Sequence, residues 1–345
     1  VLYFPLPTGG MSVTNPERRR LIDRIKTIEE RLIVVVNPMS RRGSEKASHV
    51  RSLIRREGMN LEETSTDHPD DVGHTMEFWS KRFGGSRIIM VFGGDGAINQ
   101  VINNIMLSRS NKNVVLVPMP AGTANDFCRA LNIESVDRAL EAMVDFNIRS
   151  VDLLKIEITT GDRTEVKYCS NILGLGLDGD LAHRSQKYKR FGVPGYWYAS
   201  LKKGAVAIFR GMDMYRMRLQ SDDKTYEGRL IGVMLSNIDR YGRTFHISPG
   251  ARPDDGKIHV TVVKPMSGIK SIMVAVCVMP ALHTRFKQVD SFTTEEVDVE
   301  LFDDLYSQED GEVFHYPRGT RFHLSLEKQA LNVLAASPVG ANGSS

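Results

Sequence analysis

Three observations in the 345-residue sequence predict an α/β fold, with a parallel-sheet domain followed by a mainly antiparallel β-sandwich domain. The chain is long for a single hydrophobic core, so two domains are expected. Between Arg31 and Ile133, continuous apolar runs alternate with amphipathic stretches, the pattern of strands covered on both faces by helices. Beyond about Ser150 the runs shorten and alternate apolar with polar residues, the two-residue period of strands with one face in a core.

The elements follow in order. "RLIVVVNPMSRRGSEKASHVRSLIRREG", from Arg31, is an apolar run, a polar turn and then apolar positions at helical spacing. "LEETSTDHPDDVGHTMEFWSKRFGG" repeats that order, with Asp67 or Asp70 able to cap its helix. "RIIMVFGGDGAINQVINNIML" and "VVLVPMPAGTANDFCRALNI" repeat it again, each with a glycine loop between strand and helix. In such a sheet ligands sit beyond the carboxyl ends of the strands, where both glycine loops fall. The later runs "VDLLKIEI", "VKYCSNIL", "MYRMRLQ", "RLIGVMLSN", "KIHVTVVK", "VDVELF" and "TRFHLSL" read as sandwich strands. Two stretches read as helices, roughly Gly195 to Arg210 and Gly268 to His283. The boundary is expected near "FNIRSVD", giving domains at 27–149 and 150–319, with a segment at about 320–336 returning to the first.

Composition excludes several classes. A net charge of +3 is small for a nucleic-acid binder of this size. Cys128, Cys169 and Cys277 are odd in number and widely spaced, which argues against a disulfide framework or a zinc site and for a reducing, cytoplasmic setting. The apolar stretch "SIMVAVCVMPAL", from Ser271, is too short to span a bilayer. Residues 1–10 read as a remnant of cloning ahead of a native start at Met11.

The chemistry concentrates at the glycine loops. In Gly93-Gly94-Asp95-Gly96, glycines would let the backbone approach a phosphate, and the following helix would aim free N–H groups at it. Asp95 would then hold Mg²⁺ beside the phosphates or take a proton from an attacking hydroxyl; an ordinary tight turn is the plainer alternative. The loop Pro120–Asp126 repeats the arrangement one strand later. Thr123 can donate to a phosphate oxygen, and Asn125 or Asp126 can cap the next helix. Asn37-Pro38-Met39-Ser40 stands at a third strand end. The sequence has neither a GxxxxGK[ST] loop nor a GxGxxG after a strand, so neither a Walker-type NTPase nor a standard dinucleotide fold is supported.

Five motifs in this order resemble those of the diacylglycerol kinase catalytic-domain family, which holds bacterial lipid kinases and relatives of sphingosine kinases. "VVVNPMSRRG" is similar to the family's N-P-x-S-G-x-G, "GGDGAINQV" to G-G-D-G-T-x-N-E-V, and "PAGTANDFCRAL" to P-x-G-T-x-N-D-F-A-R-x-L. "ISPGARPDDGKIHV" is similar to P-x-A-x-x-D-D-G-x-L, and Asp310-Gly311-Glu312 to a terminal D-G-E. The resemblance implies ATP as donor, Mg²⁺ as cofactor and a lipid hydroxyl as acceptor. It places Asn37, Ser40, Thr66, Gly93, Gly94, Asp95, Gly96 and Thr123 around the nucleotide. It makes Asp95, Glu312 and Asp310 the catalytic residues, and Asp255 with the carbonyls of Arg252 and Lys257 a structural metal loop; a hairpin turn is the alternative for that loop. A cytoplasmic enzyme in peripheral contact with an anionic membrane surface is expected, without nucleic acid as a partner and with room for a homodimer. An NAD or sugar kinase, which shares the GGDG loop, is the rival enzyme.

The sequence departs from the family pattern at Ala97, Gln100, Arg41 and the triplet Tyr241-Gly242-Arg243. Loss of the loop threonine at Ala97 removes a hydroxyl, so a catalytically weak regulatory pseudokinase is the rival from another class. The segment His183–Gly211 interleaves cations with aromatic residues, which suits an anionic membrane interface or, as plainly, a helix with a solvated basic face.

Overall fold

The computed structural model describes residues 20, 23, 32–36, 45–48, 62–65, 87–185 and 212–337. Strands β1 (Leu32–Val36), β2 (Glu62–Ser65), β3 (Arg87–Gly93) and β4 (Val114–Pro120) form a parallel array in the order β2-β1-β3-β4. Every residue of β3 is buried, as its unbroken apolar run requires. Helix α1 (Asp95–Leu107) follows β3 and buries Ala97, Ile98, Val101, Ile102, Ile105 and Met106 against the sheet, a stripe at helical spacing. After β4 come the short α2 (Asp126–Ala130) and α3 (Val136–Asp145). Ser135 caps α3 by accepting from the Arg138 N–H at 3.2 Å.

The two regions share one sheet. Strand β5 (Ile148–Thr160) pairs antiparallel with β6 (Arg163–Cys169) on one side and with the last strand, β18 (Arg321–Leu334), on the other. One end of β18 lies parallel to β4, through Asn332 and Val333. Its other end pairs with β15 (Glu296–Leu301), which continues to β8 (Tyr215–Ser221) and β9 (Thr225–Leu230). The result is one ten-stranded sheet. The expected boundary at 149/150 therefore falls inside β5, whose hydrogen bonds belong to both regions. Asp152 holds this junction together: its carboxylate accepts the N–H of Gly256 at 2.8 Å and of Gln329 at 2.8 Å, the latter at the bulge in β18.

A second sheet, of six strands, covers the lower half of the first. It runs β14 (Val289–Thr294), β13 (Ile258–Val263), β10 (Gly232–Ser236), β7 (Ile172–Gly176), β16 (Leu305–Glu309) and β17 (Glu312–Tyr316), all antiparallel. The sandwich core between the sheets includes Leu154, Ile156, Leu175, Val233, Val260 and Phe322. A small hairpin, β11 (Arg240–Tyr241) with β12 (Phe245–His246), stands apart from both sheets. Helices α4 (Leu177–Ser185) and α5 (Gly268–Val278) complete this part. The stretch read as a helix at Gly195 to Arg210 lies outside the described residues.

Sequence patterning and structure part at "VKYCSNIL". Its single apolar run is cut at Ser170-Asn171 into β6 and β7, which enter different sheets. The cause is Asp310, whose carboxylate accepts the backbone N–H groups of Ser170 (2.7 Å), Asn171 (2.9 Å) and Ile172 (3.0 Å). Amides given to a carboxylate cannot continue a ladder.

Candidate active site

The two glycine loops end neighbouring parallel strands, and they touch. A side chain on Gly122 would bring its Cβ to 2.4 Å from Gly94 Cα, and one on Gly94 would come to 3.1 Å from Gly122 Cα. These glycines therefore serve first to let two backbones meet. Asn125, in the left-handed conformation at φ 56°, closes the second loop by accepting from the Gly122 N–H at 2.8 Å and donating to the Gly122 carbonyl at 3.1 Å. It stands at the N-cap position of α2, but its side chain makes no capping bond. Thr123 stands exposed at the tip.

Helix α1 starts at Gly94 without a side-chain cap, so the N–H groups of its first turn face the loops. Asp95 lies in that turn. Its Oδ1 accepts the Phe127 N–H at 3.0 Å and the Asn171 side-chain amide at 3.4 Å. Burial, followed by the negative charges of Asp126 and Asp310, pushes its pKa up to about 7. A carboxyl poised near neutrality can hold a cation or exchange a proton. Asn171, at the cut between β6 and β7, was not singled out by sequence reasoning. Its only sequence signal was a polar residue interrupting an apolar run.

Asp126 is not merely a cap. Its two oxygens accept the N–H groups of Gly242 (2.7 Å) and Arg243 (2.9 Å) in the turn of the β11–β12 hairpin, which ties the second glycine loop to the sandwich region. Tyr241-Gly242-Arg243 thus acquires a role through its backbone, and Gly242 and Arg243 both take positive φ values there, 59° and 74°.

Of the expected catalytic residues, the structure brings Asp95 and Glu312 to one place. Exposed Glu312, at the start of β17, lies over the first glycine loop: a Cβ on Gly96 would meet Glu312 Oε1 at 3.6 Å. Asp310 differs. It is buried, and besides the three backbone amides it accepts from Ser170 Oγ (2.9 Å) and Cys169 Sγ (2.9 Å). Asn99 adds a donor at 3.0 Å in the amide orientation that satisfies it. With its oxygens accepting these donors and closed off from solvent, Asp310 ties the D-G-E hairpin to the β6–β7 junction. Burial raises its pKa against the pull of these donors.

The expected metal loop at Arg252–Lys257 is closed on itself. Asp255 accepts the N–H groups of Arg252 (3.0 Å) and Lys257 (3.1 Å) and faces His259 Nε2 at 2.9 Å, while the Arg252 carbonyl accepts the Asp255 N–H at 3.2 Å. These bonds order the loop while leaving lone pairs on the Asp255 carboxylate and the Arg252 carbonyl. Asn37, Ser40 and Thr66 lie outside the described residues, as does 186–211, most of the segment read as membrane-facing.

Against the β11–β12 hairpin opens a cavity of about 220 Å³, lined almost entirely by apolar side chains, among them Leu181, Met234, Val263, Ile272 and Val278. Asp178 is its carboxylate. Tyr241 and Phe245 line it too, and the turn between them holds Asp126. Gln308 adds a second link, reaching Asp178 at 3.1 Å and the Gly311 N–H at 2.6 Å in the amide orientation that satisfies both. The β11–β12 hairpin thus touches both the second glycine loop and the apolar cavity.

A parallel sheet with touching glycine loops, continued into an antiparallel sandwich that returns a D-G-E hairpin to those loops, defines a class of two-region α/β proteins. Residues 31–156 match the diacylglycerol kinase catalytic domain, and residues 171–335 match the YegS C-terminal NAD kinase beta sandwich-like domain. Residues 31–156 thus carry a diacylglycerol kinase catalytic domain. It is 24% identical over 180 residues to the protein named "Putative lipid kinase" in Staphylococcus carnosus strain TM300, covering 51% of this chain and 54% of that one. To the protein of the same name in Staphylococcus aureus strain Newman it is 26% identical over 213 residues, 61% of each. The chain thus spans between about half and three-fifths of the length of these relatives. The crystal structure of a diacylglycerol kinase from Bacillus anthracis strain Sterne has the same fold, with a TM-score of 0.61 at 17% identity over 90% of this chain and 97% of that one.

Proposed function

We propose that the protein is an ATP-dependent lipid kinase that transfers the γ-phosphate to the hydroxyl of diacylglycerol or a related lipid. One observation carries this reading: the glycine-loop site and the apolar cavity share the β11–β12 hairpin, so a phosphate-binding end and an acyl-binding end meet. The first-turn amides of α1 and the Thr123 hydroxyl would hold the phosphates, and Asp95, near neutrality, would hold Mg²⁺. The bound metal nucleotide supplies an activated phosphoryl group with its charge neutralised. The chain's own work is orientation and proton transfer. Glu312, exposed above Gly96, accepts the proton of the lipid hydroxyl as it attacks. The cavity keeps water from the acyl part and holds the hydroxyl at the loops.

Phosphorylation of a lipid panel with labelled ATP tests the reading, with NAD as a further acceptor because the second region matches an NAD kinase-like sandwich. Label on a lipid is expected. Label on NAD alone, or on nothing, overturns it. Glu312→Gln should lower kcat by roughly a hundredfold or more while leaving KM for ATP within a few-fold; a pure KM effect would remove Glu312 from the proton's path.

A further inference from the structure

Helix α5 has two apolar faces. Ile272, Val274 and Val278 turn inward to wall the cavity. On the outside, Ile269, Met273 and Met279 are 65%, 52% and 42% exposed, joined by Leu282 and by Val276, which is exposed and also lines the rim of the cavity. Exposed apolar residues at helical spacing form a contiguous stripe, which a water-facing helix does not normally carry. Along its own segment the charge has one sign. From Pro265 to Gln288 the chain holds Lys270, Arg285 and Lys287 and no Asp or Glu. All three cations are exposed, and none is in an ion pair among the described residues.

We propose that the outer face of α5 is a membrane-docking surface, which seats in the interface of a bilayer containing anionic lipid. An apolar stripe flanked by cations is what such an interface binds: the stripe enters the acyl boundary while the cations meet the head groups. A second copy of this chain fits the face less well, because a two-fold contact would set Lys270, Arg285 and Lys287 against their own counterparts. The geometry also gives the face a purpose that rests on the lipid-kinase reading. The helix that touches the bilayer is the wall of the acyl cavity, so a substrate lipid need cross only that wall's edge to reach the glycine loops. Docking through α5 differs from the expectation placed on 183–211, which lies mostly outside the described residues.

Co-sedimentation with vesicles, without ATP, tests the proposal. The protein should bind vesicles of phosphatidylcholine mixed with phosphatidylglycerol and should be released as salt rises. The double substitution Ile269→Gln and Met273→Gln, at positions that do not line the cavity, should raise the lipid concentration for half-binding at least tenfold with no change in melting temperature. Its turnover of a short-chain diacylglycerol dissolved below its micellar concentration should match the parent. Replacing Lys270, Arg285 and Lys287 with glutamine should abolish the preference for anionic vesicles. Equal binding by parent and Ile269/Met273 variant would overturn the proposal. So would a parent dimer that this variant converts to monomer, which would assign the stripe to a contact between copies. Because binding is read without catalysis, a vesicle-bound protein that phosphorylates no lipid would overturn the kinase reading alone.

Discussion

Asp95 shows how a single side chain ties chemistry to stability. Its carboxyl titrates near 7 in the fold against an ordinary 3.8, so activity that needs the carboxylate should rise through about pH 7. Stability runs the other way. The folded protein keeps this proton up to about pH 7 while the unfolded chain releases it near 3.8, so stability is lost as pH rises between those values. Asp95→Asn should abolish turnover by roughly a hundredfold or more. It should also melt higher than the parent at pH 8 and equally below pH 4; a lower melting point at pH 8 would mean that burial does not set this pKa. A second single-residue effect sits at the end of α5. Ala281, at φ 59°, occupies the left-handed position where its N–H donates to the Val278 carbonyl at 3.1 Å and that of Leu282 to the Cys277 carbonyl at 2.8 Å. This is the helix ending that favours glycine. Ala281→Gly should stabilise the protein by about 0.5–1 kcal/mol, read as a higher urea midpoint at unchanged slope.

At the scale of elements, the two strand–loop–helix units work because their loops can interpenetrate. Adding a methyl to Gly122 sets it against backbone at 2.4 Å and against Asn125 Oδ1 at 2.9 Å, whereas Gly94 meets its nearest atom at 3.1 Å. Overpacking of this kind costs about 1–3 kcal/mol, and the loops must separate to relieve it. Gly122→Ala should therefore weaken ATP binding by roughly ten- to a hundredfold, and Gly94→Ala by clearly less. Titration calorimetry with a non-hydrolysable ATP analogue checks the order, and the reverse order would show that phosphate, not the neighbouring loop, sets the need for glycine. The motif itself was plain in the sequence. That its glycines face each other was not, because proximity across strands leaves no trace in local spacing.

On the scale of the whole molecule, one ten-stranded sheet carries both regions, and Asp126 reaches across from the glycine loops to the β11–β12 turn. Asp126→Ala would leave the Gly242 and Arg243 amides without their charged acceptor. Stability should drop by about 2–3 kcal/mol, and KM for ATP and for lipid should rise together, because the hairpin serves both ends of the site. A change in one KM alone would separate the two ends. The sequence by itself determined the class of fold, the strand–helix alternations that begin at β3 and β4, and the two glycine loops between them, because apolar periodicity and glycine placement are local and follow from backbone geometry. Tertiary structure alone decided that β5 and β18 join the regions, that Asp310 is a buried hub while Glu312 stands open, and that Asn171 and the β11–β12 turn belong to the site. Each of these depends on which atoms a carboxylate finds after folding. Asp310 binds residues about 140 positions earlier in the chain, and no local pattern specifies a partner at that distance.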